Sequence, residues 1–147
     1  MQFQYDDGGR AAAGYKGTAG DCVCRAISIA AQLPYRQVYA VLSEGNAAEP
    51  RTKYGRKSAG RRSARNGINA HRQWFYDYME SLGFTWVPIL KIGGSCKAHL
   101  RDNQLPPGRL VVALYRHMAA VIDGVLHDTH QCDRGGRRGI YGYYIKA

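Results

Sequence analysis

Residues 116 to 130 read RHMAAVIDGVLHDTH, and the dipeptide at their centre decides how the C-terminal half folds. Asp123-Gly124 between two apolar runs is a strong signal for a two-residue hairpin turn. A two-residue turn also fixes the register. Ile122 then faces Val125, Ala119 faces Asp128, and His117 faces His130. Directly opposed side chains share a face of the sheet. His117, Ala119, Val121, Leu126, Asp128 and His130 therefore lie on one face, with Met118, Ala120, Ile122, Val125, His127 and Thr129 on the other. His117 and Asp128 become diagonal neighbours, about 7–8 Å apart at the backbone, within reach of an imidazole and a carboxylate. Asp123, six residues from His117, is about 20 Å away at ~3.4 Å per residue and cannot serve instead.

The segments around this hairpin also read as strands. Arg109 to Tyr115 (RLVVALY) is a buried strand and Ile140 to Ile145 (IYGYYI) a last one. Phe84 to Leu90 is a shorter strand in which Pro88 marks an edge or a bulge. Upstream the period becomes helical. Trp74, Phe75, Tyr78, Met79 and Leu82 form one apolar stripe on a helix starting near Asn69 and stopped by Gly83. Tyr35, Val38, Tyr39 and Leu42 form another, on a helix opened by Pro34 and ending near Gly45. Asp21 is suited to N-cap a helix from Cys22 to Gln32 that is apolar on almost every side, hence central and buried. Residues 1 to 20, rich in glycine, read as a looped lead-in. Helices first and strands after predict an α+β domain, with helices packed against a C-terminal antiparallel meander.

The chain has 147 residues, 45% apolar and 11% aromatic, which suits one folded domain over residues 1–147. No run of 18 apolar residues is present, so no span is expected to cross a membrane. The N-terminus lacks the basic-then-apolar order of a secretory signal, so a cytoplasmic protein with reduced thiols is expected. The net charge is +10, and seven of the basic residues fall in one acid-free run: Arg51, Lys53, Arg56, Lys57, Arg61, Arg62 and Arg65. The plain expectation is a solvated, mobile loop over about residues 46–66. The alternative is a docking surface for an acidic protein or nucleic acid. Arg134, Arg137 and Arg138 form a smaller basic cluster.

A histidine held by an aspartate is half of a nucleophilic constellation, and the other half is a thiol or hydroxyl. Within GTAGDCVCRAISIAAQ, residues 17 to 32, Cys22 opens the central helix, where the helix dipole favours a thiolate. Cys24 lies about 200° further round the helix and should be core. Asp21 works against the thiolate, so a protonated His117 must outweigh it.

With GDCVCRAISIA at the head of a central helix and RHMAAVIDGVLHDTH downstream, the chain resembles the papain-like cysteine peptidase superfamily, in which Cys, His and Asp or Asn follow in that order. More narrowly it is similar to small proteins of bacteriophages and bacteria with a GDC-x-x-RAI-type start and an H-x-x-AVIDGV-x-HDT-type end. The resemblance spans about residues 14 to 145. It implies Cys22 as nucleophile, His117 as base and Asp128 as orienting carboxylate. Many papain-like enzymes carry a Gln oxyanion donor about six residues before the Cys; Lys16 stands there, so Lys16 or Thr18 would join the Cys22 backbone N–H. Zinc is the rival use of such residues, since Cys96-x-x-His99 and His127-x-x-His130 have ligand-like spacing. The register, however, places His127 and His130 on opposite faces.

The expectation is a cofactor-free and metal-free cysteine peptidase or isopeptidase-type hydrolase acting on a protein or peptide. The alternative is a non-catalytic papain-like binding protein, an accessory or host-factor inhibitor of phage type, working in the host cytoplasm.

Overall fold

A computed structural model of the chain describes residues 1–17, 19–49, 63–65, 67–90 and 97–147. Thr18, Cys96 and six of the seven residues of the basic run (Arg51, Lys53, Arg56, Lys57, Arg61 and Arg62) lie outside the described residues. Among the described residues the chain forms three α-helices and a six-stranded mixed sheet: β1 (Gln2–Tyr5), α1 (Cys22–Ala31), α2 (Tyr35–Ala48), α3 (Gln73–Ser81), β2 (Phe84–Pro88), β3 (Arg109–Leu114), β4 (His117–Ile122), β5 (Val125–Asp128) and β6 (Gly142–Lys146). The α+β class read from the sequence is therefore present.

The hairpin register is the expected one: Ile122 pairs with Val125, Val121 with Leu126 and Ala120 with His127. Asp123 and Gly124 have φ of 46° and 81°, both in the left-handed region that this turn type requires. Asp123 also closes the loop behind it, its carboxylate accepting from the Gly108 N–H at 2.8 Å.

The sheet is not a simple antiparallel meander. Its strand order is β1-β5-β4-β3-β6-β2. The chain turns back after β5, and β6 inserts between β3 and β2, pairing Leu110 with Ile145 and Trp86 with Tyr144. The lead-in also contributes a strand, because β1 pairs in parallel with β5, Gln2 to Val125 through Tyr5 to Asp128. Gln2 to Tyr5 alternates polar and aromatic residues, but over four residues only, too short a signal to stand out from the glycine-rich segment that follows. Pro88 ends β2 on the sheet's edge, where its missing N–H costs no ladder bond.

Two helix boundaries also differ. α2 runs past Gly45 to Ala48, and the indole of Trp74 occupies the space a side chain at Gly45 would fill. The expected 46–66 loop is pinned at its far end: Ala64 is buried, its N–H donating to Ser43 Oγ at 2.8 Å, while Asn46 Nδ2 donates to the Ser63 carbonyl at 2.9 Å. α3 starts at Gln73 rather than near Asn69, because Asn69 Oδ1 accepts from the His71 N–H at 3.0 Å and forms a turn.

The helices cover one face of the sheet, where Ile27, Val38, Leu42, Phe75 and Met79 pack with Val111, Met118, Ala120 and Tyr144. The other face carries Leu110, Val112, Ala119, Val121 and Leu126, closed over by Leu100, Cys132 and Ile140 from the connecting segments. Each fully buried Val, Leu, Ile, Phe or Met side chain among these contributes about 1.5–3 kcal/mol from leaving water. His117 is the first residue of β4, Asp128 the last of β5 and Cys22 the first of α1, so the chemistry-bearing residues fall at element ends.

Candidate active site

Asp128 is buried, and its two oxygens have separate partners. Oδ2 lies 2.6 Å from His117 Nε2, while Oδ1 accepts from the Thr129 N–H at 2.7 Å and from Arg25 Nη2 at 3.4 Å. An ionised carboxylate only accepts, so His117 Nε2 carries the proton and Nδ1 is the ring atom left for a second partner. Burial alone would raise the Asp128 pKa, but the hydrogen bond and charge of His117, then the Thr129 N–H and Arg25, hold it below the usual carboxylate range. Burial likewise works against a charged His117. The hydrogen bond to Asp128, followed by those with Cys132 and Cys22, outweighs it and raises the imidazole well above its ordinary value.

Cys22 is partly buried and lines the same cleft as His117. Burial pushes the thiol up; the hydrogen bond and charge of His117, the Met118 N–H and Arg25 push it down, and the net direction is down. A lowered thiol facing a raised imidazole is the electrostatic signature of a thiolate–imidazolium pair. Cys24 is the contrast. It is fully buried, its Sγ lies 3.8 Å from the Tyr35 carbonyl, and burial pushes its thiol up to about 12.

Asp21 does not cap α1 with its side chain. Its carboxylate instead pairs with the Arg25 guanidinium, accepts from the Tyr35 hydroxyl, and lies 3.5 Å from Arg10 Nη1. Arg10 Nη1 also donates to the Tyr35 hydroxyl at 2.9 Å. The negative charge beside Cys22 is thus neutralised by two buried arginines, which removes the main objection to a thiolate there. The sequence carries a signal for Arg25. It is the one charge in an otherwise apolar helix, four residues from Asp21 and three from Cys22, a spacing that shares a helix face.

A cleft of about 480 Å³ opens past Cys22 and His117, lined in part by Val23, Ile68, Ala70, Met118 and Arg116. Lys16 is exposed and does not line it, and the Lys16 carbonyl is taken by Arg10 Nη2 at 3.1 Å. The expected role of Lys16 as oxyanion donor therefore finds no geometry here, and Thr18 lies outside the described residues. Asn69, which sequence reasoning missed, does line the cleft. Its Oδ1 is fixed by the His71 N–H, and among the described residues its Nδ2 has no hydrogen-bond partner.

Cys132 was also missed, because nothing in its local sequence marks it. It is buried, and its sulfur lies with ligand atoms of His117 and Asp128 in a group no more than 4.8 Å across. Such a trio offers zinc-type ligands. Two atoms bound to one tetrahedral zinc at about 2.0–2.1 Å stand roughly 3.3 Å apart. The 2.6 Å from Nε2 to Oδ2 is instead the separation of a shared proton. The His127/His130 pair is split as expected: the His130 ring lies 5.2 Å from the His117 ring, tilted by 50°, while His127 Nδ1 lies 3.5 Å from Asp6. His99 bridges to Gly139 and does not line the Cys22 cleft. Of the basic run, Arg65 is described and exposed.

Comparison of the chain with protein-family models, with curated proteins and with solved structures gives no match in any of the three.

Proposed function

We propose that the chain is a cysteine hydrolase of papain-like architecture, most simply a peptidase or isopeptidase, acting through Cys22, His117 and Asp128. The observation that carries this reading is the 2.6 Å His117–Asp128 bond together with a thiol lowered by the same imidazole. The Cys22 thiolate attacks an amide or ester carbonyl, forming a C–S bond as the carbonyl π pair moves onto oxygen. The Cys22 N–H, orphaned at the first position of α1, and Asn69 Nδ2 are the donors for that oxyanion. The His117 imidazolium gives its proton to the departing nitrogen or oxygen, leaving an acyl-thioester on Cys22. Neutral His117 then takes a proton from water, whose oxygen attacks the thioester, and the thiolate leaves. Asp128 holds the ring tautomer and balances the imidazolium throughout. A cytoplasmic setting would keep Cys22 reduced.

The test is an acyl-enzyme trap. Incubation with a p-nitrophenyl ester, quenched in acid, should give p-nitrophenol release and an acyl adduct that maps to Cys22 and is missing from Cys22→Ala. Acylation spread evenly over the thiols would reject the reading.

The net charge of +10 and the basic run favour one second reading, a binding scaffold without turnover. Its partner would be an acidic protein or nucleic acid, and a host factor if the chain is phage-encoded. Steeply salt-dependent binding to polyanions, retained by Cys22→Ala, would favour it over hydrolysis.

A further inference from the structure

The mechanism above uses one oxygen of Asp128 and leaves unexplained why a helix that is otherwise apolar buries an arginine. Arg25 is 7% exposed. Its Nη1 pairs with Asp21, and its Nη2 reaches Asp128 Oδ1 at 3.4 Å, across to the end of β5. Nη1 also donates to the Ala19 carbonyl at 3.4 Å. The Thr129 N–H that shares Oδ1 is adjacent in sequence and moves with Asp128. Arg25 is the contact from another element, and that element also carries Cys22.

We propose that Arg25 is a positioning residue of this site: by spanning Asp21 and Asp128 it holds the carboxylate rotated so that Oδ2 meets His117, and it keeps the Asp21 charge off the Cys22 sulfur. The proposal rests on the thiolate–imidazolium reading. A buried arginine held by two carboxylates on different elements has a planar fork that a lysine cannot reproduce. It also makes the burial of Asp21 tolerable, since a buried carboxylate without its partner is costly.

Among the described residues, the charged and titratable groups around Cys22 are His117, Arg116 and His71 on the cleft, and Asp21 and Arg25 from its own helix start. Those facing His117 from the remaining elements are Asp128, His130 and Cys132. Loss of Arg25 removes a cation that favours the thiolate and frees an anion that opposes it, so both changes act in one direction.

The experiment is the rate of Cys22 carboxamidomethylation by iodoacetamide as a function of pH. Arg25→Gln should move the acid limb up by about one pH unit, a roughly tenfold lower rate at a pH below the limb. Arg25→Lys, which keeps the charge but reaches one carboxylate at a time, should lie between. Should Arg25→Gln fail to fold, the Asp21→Asn/Arg25→Gln pair leaves no lone buried carboxylate at Asp21 and carries the test, with a smaller upward shift that comes from the lost hold on Asp128. A merely structural role would lower the melting temperature without moving the limb, and a folded Gln variant, single or double, with the wild-type profile overturns the proposal. Failure of the underlying reading is distinguishable, since wild-type Cys22 would then show no depressed limb at all.

Discussion

His117 Nε2, at the first residue of β4, stands 2.6 Å from Asp128 Oδ2, at the last residue of β5. The bond joins two strand ends that the Asp123-Gly124 turn brings into register, and it is short enough to be charge-assisted. It fixes one ring nitrogen and leaves the other to the neighbouring thiols, Cys132 and Cys22.

Asp128→Asn keeps the shape and removes the charge. An opposite charge at this range typically shifts a pKa by about 1–3 units. Cys22 alkylation near neutral pH should therefore fall by about tenfold or more, with its acid limb displaced upward. Alkylation kinetics across pH on wild type and variant measure both effects, and an unchanged limb would count against the ion pair.

The same bond has a pH signature in stability. The folded-state pKa of His117 is raised, so its contribution is fully present below the unfolded value of about 6.5 and is lost as pH climbs toward the folded value. The folded-state pKa of Asp128 is lowered, so its contribution is present above about 3.9 and is lost as pH falls through the folded value. Urea denaturation of Cys22→Ala, with and without Asp128→Asn, removes the titration of the thiol itself. The stability gap between the two should be widest between about pH 4 and 6.5 and shrink on both sides. A gap independent of pH would contradict the assignment.

Gly45→Ala tests packing where propensity gives the opposite sign. In a helix interior alanine normally gains about 1 kcal/mol over glycine. At Gly45, however, an added Cβ would meet three ring atoms of Trp74 at 2.5–2.8 Å, and that indole is held by its Nε1 bond to Glu49 at 2.9 Å. Overpacking of this kind costs about 1–3 kcal/mol. Thermal or urea unfolding should show net destabilisation.

Gly142→Ala makes the same point in the sheet. Its Cβ would meet the Trp86 ring at 2.5 Å and the Val87 carbonyl oxygen at 2.8 Å. The carbonyl belongs to the paired strand and cannot swing away, so a loss of at least about 1–3 kcal/mol is expected by the same measurement.

What the sequence made legible follows from the range of each signal. The hairpin could be read to the residue because a two-residue turn leaves one register, and the His117–Asp128 contact came with it. Cys24 could be assigned to the core because helical geometry separates it from Cys22. β1 was not read, since its parallel pairing with β5 depends on a partner more than a hundred residues away and its alternation runs over only four residues. The insertion of β6 beside β3 is likewise a choice among edges that strand patterning does not encode. Gly45 looked like a helix stop because the residue filling its empty side, Trp74, lies on another helix. Arg25 was visible as a charge in an apolar run, but its second partner, Asp128, appears only in three dimensions, and so does Cys132 beside His117.

The central claim, a thiolate at Cys22 sustained by His117, is tested most directly by titrating thiolate ultraviolet absorbance in wild type, Cys22→Ala and His117→Ala. The expected result is a wild-type-minus-Cys22→Ala difference that persists well below the free-cysteine pKa of about 8.5 and disappears at those pH values in His117→Ala. A Cys22 thiol that titrates at or above that value in the wild type would contradict it.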